Sequence, residues 1–130
     1  MLRLFTKICE IERLETMNQP EAERVFVCSK YAGDIEHNVR VALALCRMAL
    51  EAGLAPFAPH LLYTQFLDDS DPAQRDLGIS MGLRYMETCD VVWVYIGDGV
   101  SDGIRREVEH AQSLCKPVVI LREVRPCVLI

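Results

Sequence analysis

No stretch of this chain is apolar for the length that a membrane-spanning helix requires. A basic footprint is missing as well: 14 lysines and arginines stand against 19 aspartates and glutamates, a net charge of -5. A nucleic-acid groove, which must neutralise phosphates, is therefore not expected. There is no internal repeat, no low-complexity segment and no CxxC pair. The six cysteines (Cys9, Cys28, Cys46, Cys89, Cys115 and Cys127) are scattered, several of them in apolar segments. Free cysteine there behaves as a small buried hydrophobe, so reduced thiols in a cytoplasmic protein are expected. Neither the histidines nor the cysteines have metal-ligand spacing, so no metal is expected. The opening MLRLFTKICEIERLE is broken by Lys7 and Glu10 and makes a poor signal peptide. The closing CVLI has the form of a prenylation box, but no polybasic run precedes it, and an apolar strand end explains it equally well.

What is present is the material of one globular domain: 130 residues, 51% hydrophobic and 25% charged. Residues 1–20 read as a short amphipathic helix and a polar linker, and the domain proper as 21–130. From there strands and helices alternate. RVFVCS (24–29) is β-branched and aromatic, and reads as a strand. In DIEHNVRVALALCRMALEAG (34–53), Ile35, Val39, Ala42, Cys46 and Ala49 recur at helical spacing, with Asp34 as N-cap and Gly53 as the stop. APFAP (55–59) reads as an edge strand because of its prolines, and 60–72 as a long connection rich in apolar and aromatic residues. A second helix over 72–89 starts at Pro72, which suits a first turn. DVVWVYIG (90–97) is apolar throughout, as in a strand covered on both faces. A helix from Gly103 and a strand over 116–123 complete the series. Such alternation predicts an α/β fold, a Rossmann- or flavodoxin-like three-layer sandwich on a mainly parallel sheet of four to five strands.

In sheets of this kind ligands bind beyond the carboxyl ends of the strands, where the strand order reverses. With the strand at 24–29 beside that at 90–97, the loops SKYAGD (29–34) and GDGVSDG (97–103) face each other across such a crevice. Each opens a helix, whose free N–H groups suit a phosphate or a ribose hydroxyl. Neither loop matches GxGxxG or the Walker pattern, and glycines after strands are commonly plain turn residues. Glu107 is the more informative residue. It shares a helical stripe with Ile104, Val108 and Ala111, so it points where apolar side chains point. A desolvated carboxylate needs a partner or a task. It is either ion-paired to an arginine in the core or lines a pocket.

The combination of Asp90 in CDVVWVY, Ser101-x-Gly103-x-x-x-Glu107, Ala111 and Lys116-Pro117-Val118 resembles the nucleoside 2-deoxyribosyltransferase-like superfamily. VFVCSKYAGD is similar to that family's first strand and ligand loop, and the run from His37 through PFAPHLLYTQFLDD to its phage and bacterial branch. The likeness spans residues 24–122. It implies that Glu107 is the catalytic carboxylate of an enzyme that cleaves the base–sugar bond of a (deoxy)nucleoside 5′-monophosphate, by hydrolysis or deoxyribosyl transfer. It further implies substrate contacts from Ser29, Lys30, Tyr31, Gly33, Asp34, His60, Asp90, Ser101 and Gly103. Ser101 stands where the transferases tend to have aspartate and the monophosphate N-glycosidases serine, which favours a phosphorylated substrate. Leu61, Tyr63 and Phe66 would lie over the base, or else pack on the domain or a partner. His37 reads as a first-turn residue, and His110 as exposed.

Two departures accompany the resemblance. A ribose-holding aspartate is replaced by Gly82, so that Asp76 or Arg84 would have to substitute. The C-terminal segment that family dimers share between sites is short. These leave a second reading, a module that senses or sequesters a nucleotide-derived ligand without cleaving it, and a third, a protein-interaction domain. The implied partners are a small nucleotide or nucleoside and further copies of the chain as a homodimer or higher homo-oligomer, with no cofactor.

Overall fold

Four short strands, all parallel, form the centre of the domain in the computed structural model, which describes residues 21–125. The expectations for the N-terminal helix, the CVLI terminus, Cys9 and Cys127 lie outside the described residues. Along the chain come β1 (Arg24–Cys28), α1 (Ile35–Glu51), β2 (Ala55–Phe57), α2 (Pro59–Leu62), a 3₁₀ turn (Tyr63–Gln65), α3 (Pro72–Met86), β3 (Val91–Tyr95), α4 (Asp102–Ser113) and β4 (Val118–Leu121). The strands lie in the order β2-β1-β3-β4. Going from β1 to β2 the chain moves one way across the sheet, and afterwards the other way. Right-handed crossovers then put α1 on one face and α3 and α4 on the opposite face.

The core divides accordingly. Phe26, Cys28, Val92 and Val94 pack with Met86, Ile104 and Ala111 on the α3/α4 side. Val27 and Tyr95 pack with Val41, Leu45 and Ala58 on the α1 side. Alternate residues of one strand feeding two cores is the period-2 geometry of a sheet covered on both faces. The α/β sandwich is as expected, with four strands.

Helix α1 is capped by Asp34, whose carboxylate accepts a hydrogen bond from the His37 backbone N–H at 3.2 Å. It ends where Gly53 takes φ +82, a conformation that glycine adopts without strain. Its inward stripe differs from the expected one. Asn38, Val41, Ala42, Leu45 and Ala49 are buried, whereas Ile35 is 46% exposed. A second difference lies in the connection over 60–72, which folds into α2 and the 3₁₀ turn instead of an open loop. Gly82 lets α3 lie directly on this segment: a Cβ there would come within 2.9 Å of Pro59 Cβ.

Candidate active site

β1 and β3 lie side by side, and their outgoing loops diverge, β1 to α1 on one face and β3 to α4 on the other. The cleft opens at this reversal of order. On the β1 side, Ser29 is buried at the strand end and Tyr31 follows on the rim. This loop is pinned from below by Asn38, whose buried amide donates to the Tyr31 carbonyl at 2.9 Å and the Ala32 carbonyl at 3.1 Å. The β3 loop is tied across to α1 by His37 Nε2 and Asp98 Oδ2 at 2.9 Å. His37 is therefore a clamp between the loops.

Helix α4 begins at Ser101, whose hydroxyl accepts from the Ile104 N–H at 3.1 Å. That bond uses the oxygen as acceptor and leaves its proton free to donate outward. The first N–H groups of the helix have no intrahelical partner, which makes this end attractive to an anion. Gly103 and Glu107 follow on the cleft side.

The third wall comes from α2, the 3₁₀ turn and α3. Here the cleft has two lobes that share His60, Asp69, Arg75, Ile79 and Glu107. One lobe, about 50 Å³, is walled by Tyr63, Leu67 and Gly78. The other, about 80 Å³, reaches Ser29, Ser101 and Gly103. A water needs only about 10–15 Å³ on such a measure, so both lobes are hollow and not closed packing.

Glu107 is 8% exposed and makes no ion pair with another described residue. Burial pushes its carboxyl up to about 8, against the lowering influence of a hydrogen bond from the Cys28 thiol and of the nearby Arg106 charge. The free protein therefore holds it mainly protonated at neutral pH. Cys28 lies beneath it at the end of β1, with its thiol pushed up first by burial and then by the Glu107 charge, so it remains a thiol. Ser29 Oγ and His60 Nε2 are 2.7 Å apart across the cleft mouth. Burial lowers His60 to about 4, so at neutral pH the imidazole is uncharged and serves as a hydrogen-bonding wall. Among the described residues no cluster of three metal-ligating side chains forms. Cys28, Cys46, Cys89 and Cys115 are free thiols.

Of the ligand contacts expected from the sequence, Ser29, Tyr31, His60, Ser101, Gly103 and Glu107 come together around this cleft. Asp90 does not. Its carboxylate accepts from the Arg24 N–H at 2.8 Å, at the entry ends of β1 and β3. The five residues of β3 separate it from the cleft by roughly 16 Å at strand rise, so it is a strand-pairing residue. Gly33 takes φ +103 to turn the loop, and Asp34 is used as the helix cap; neither lines the cleft. Lys30 reaches over Gly99, its Nζ 3.5 Å from where a Cβ would sit, and not into the hollow.

Around the apolar lobe, Tyr63 forms a wall as expected, but Leu61 belongs to the α1-side core and Phe66 stands 65% exposed against the Tyr63 ring. Neither expected substitute for the missing aspartate reaches the cleft. Asp76 pairs with Arg106 at 2.9 Å and Arg84 with Glu87 at 3.9 Å, both on the surface. Asp69 and Arg75, neither of them a residue that the motifs single out, line the cleft instead. Nothing in the sequence distinguishes Asp69 from the other aspartates of DDSDPAQRD, and Arg75, its one cation, has no local signal that turns it inward.

The model of the family described as "Domain of unknown function (DUF7768)" matches residues 23–121. No curated protein matches the chain in sequence. Among solved structures, a 2-deoxyribosyltransferase from Bacillus psychrosaccharolyticus superposes with a TM-score of 0.61 at 17% identity, over 78% of this chain and 76% of that one. BcmB, a CMP N-glycosidase from Clostridium botulinum, gives 0.46 at 20% identity, over 75% of this chain and 67% of that one. At that level of identity, the first match establishes a shared fold.

Proposed function

The chain belongs to the DUF7768 family, and we propose that this member breaks the base–sugar bond of a (deoxy)nucleoside 5′-monophosphate with Glu107 as the reacting carboxylate. One observation carries the reading: a carboxyl 8% exposed, without an ion pair among the described residues, at the floor of a hollow where β1 and β3 part. A buried carboxyl that faces a hollow without a cationic partner calls for a ligand or a task. The fold shared with a 2-deoxyribosyltransferase supports the same chemistry.

The reaction proceeds in two steps. As the bond from C1′ to the base nitrogen lengthens, positive charge develops on the sugar, and the Glu107 carboxylate stabilises or captures it. The electron pair of the broken bond leaves with the base, which takes up a proton from water. Water or a second base then attacks C1′ and releases the carboxylate, giving hydrolysis or transfer. The apolar lobe, with Tyr63, Leu67 and Ile79, receives the planar base. Asp69 accepts hydrogen bonds from sugar hydroxyls in place of an aspartate at position 82. Ser29 and the Ser101 end of α4 face the phosphate.

The test is base release. A panel of nucleoside and deoxynucleoside 5′-monophosphates is incubated with wild-type protein and Glu107→Gln, and free base is measured by chromatography. At least one member yields base with the wild type, and the variant is slower by about 100-fold or more. No release from any member at high protein concentration contradicts cleavage. Thermal stabilisation by a nucleotide that survives intact, equal in Glu107→Gln, would replace it with the binding-module reading.

A further inference from the structure

We propose that Arg75 makes this cleft selective for phosphorylated ligands, by holding the phosphate of a sugar 5-phosphate moiety against the N-terminus of α4. The inference rests on the cleft's assignment to nucleotides but names a residue from α3, outside the two loops that the sequence pointed to. A Cβ on Gly103 would lie 3.7 Å from an Arg75 guanidinium nitrogen and 3.8 Å from Ser101 Oγ. Guanidinium, hydroxyl and the free N–H groups of the first helical turn therefore converge on one small volume. Arginine's planar fork with several donors matches a phosphate better than it matches a single oxygen.

Arg75 also differs from most of the described arginines in its pairing. Arg40, Arg47, Arg84, Arg105, Arg106 and Arg125 each pair with a carboxylate on the surface. Arg75 lines both lobes and pairs with no described carboxylate. In a chain of net charge -5, an unpaired guanidinium beside Asp69 and Glu107 is the group that makes the cleft tolerable to an anion. Glu107, unpaired and more than nine-tenths buried, points into the same hollow and independently marks it as a ligand site.

From Gly103 to Glu107 is four residues, about 6 Å along the helix. A sugar ring with its C5′ arm bridges such a gap, which puts the phosphate at Arg75 and C1′ at Glu107. A nucleoside lacking phosphate leaves the guanidinium unsatisfied, so Arg75 discriminates through binding and positioning and not through the bond-breaking step.

Calorimetric titration tests this without depending on turnover, using 2-deoxyribose 5-phosphate, 2-deoxyribose and inorganic phosphate. The wild type binds the phosphorylated sugar at least about 10-fold more tightly than the free sugar. Arg75→Met loses roughly 10- to 100-fold for the phosphorylated sugar and little for the free one, so that the preference disappears. Arg75→Lys, which keeps the charge without the fork, recovers part of it and guards against a folding defect. Equal binding of the phosphorylated sugar by wild type and Arg75→Met overturns the inference, as does a wild type without preference. Base release from nucleotides whose kcat/KM is unaffected by Arg75→Met would leave the cleavage reading standing while this one falls. Phosphate selection through Arg75 with no base release from any nucleotide would do the reverse.

Discussion

Replacing Glu107 by glutamine stabilises the protein, and by an amount that grows with pH. The native carboxyl titrates at about 8, against an ordinary value of 4.5, chiefly because burial disfavours its charge. Between those values the unfolded chain loses the proton and the native one keeps it. The raised folded-state pKa makes this contribution to stability complete below pH 4.5 and progressively lost up to about pH 8. At pH 7 the unfolded state gains roughly two and a half decades of ionisation, about 3 kcal/mol at 1.4 kcal/mol per decade. Above pH 8 the difference levels off near 5 kcal/mol. Glutamine is nearly isosteric, keeps an oxygen to accept from the Cys28 thiol, and has no such dependence. Glu107→Gln therefore matches the wild type near pH 4.5 and exceeds it by up to about 3 kcal/mol at pH 7, or roughly 10 °C in Tm for a domain of this size. Denaturant unfolding of both proteins at pH 5, 6, 7 and 8 measures the difference. The titration of His60 is common to both and cancels. A difference that stays flat across this range, or a variant less stable at pH 8 than at pH 5 relative to wild type, refutes the argument that burial makes this carboxyl costly.

The same proton governs the reaction: with the carboxylate as the active form, kcat/KM rises with pH and levels off near 8, and a profile already flat from pH 5 would contradict that role. His60, lowered to about 4 by burial, resists protonation in the native state, so it withdraws stability as pH falls from 6.5 towards 4. His60→Gln flattens that acid limb in a pH series of thermal melts. Asn38→Ala removes the donors to the Tyr31 and Ala32 carbonyls and costs roughly 1–3 kcal/mol by denaturant unfolding. Restoring an aspartate with Gly82→Asp destabilises by about 1–3 kcal/mol, since its Cβ would stand 2.9 Å from Pro59 Cβ, and it brings no gain in base release.

The sheet was legible because strand and helix periods alternate plainly. RVFVC and VVWVY are β-branched or aromatic runs that two buried faces demand, and Asp34 and Gly53 mark helix ends by local chemistry alone. The orientation of Glu107 followed from helical spacing in the same way. What failed depended on tertiary placement. Asp90 sits in a recognisable stretch, yet sequence proximity to a motif says nothing about which end of a strand a residue occupies. α2 is four residues long, too short for any periodicity to register. Asn38 turns inward because two loop carbonyls need its amide, which no hydropathy pattern reports. Asp69 and Arg75 line the cleft in a fold where α3 lies on Pro59 at Gly82, a contact between positions far apart in the pattern.

The most direct test of the account is a structure of Glu107→Gln with a nucleoside 5′-monophosphate bound. The anomeric carbon is expected within roughly 3–3.5 Å of the residue 107 side chain, a near-attack distance. The base would lie against Tyr63 and the phosphate at Arg75 and Ser101. A nucleotide that binds elsewhere, or with its glycosidic bond turned away from residue 107, contradicts it.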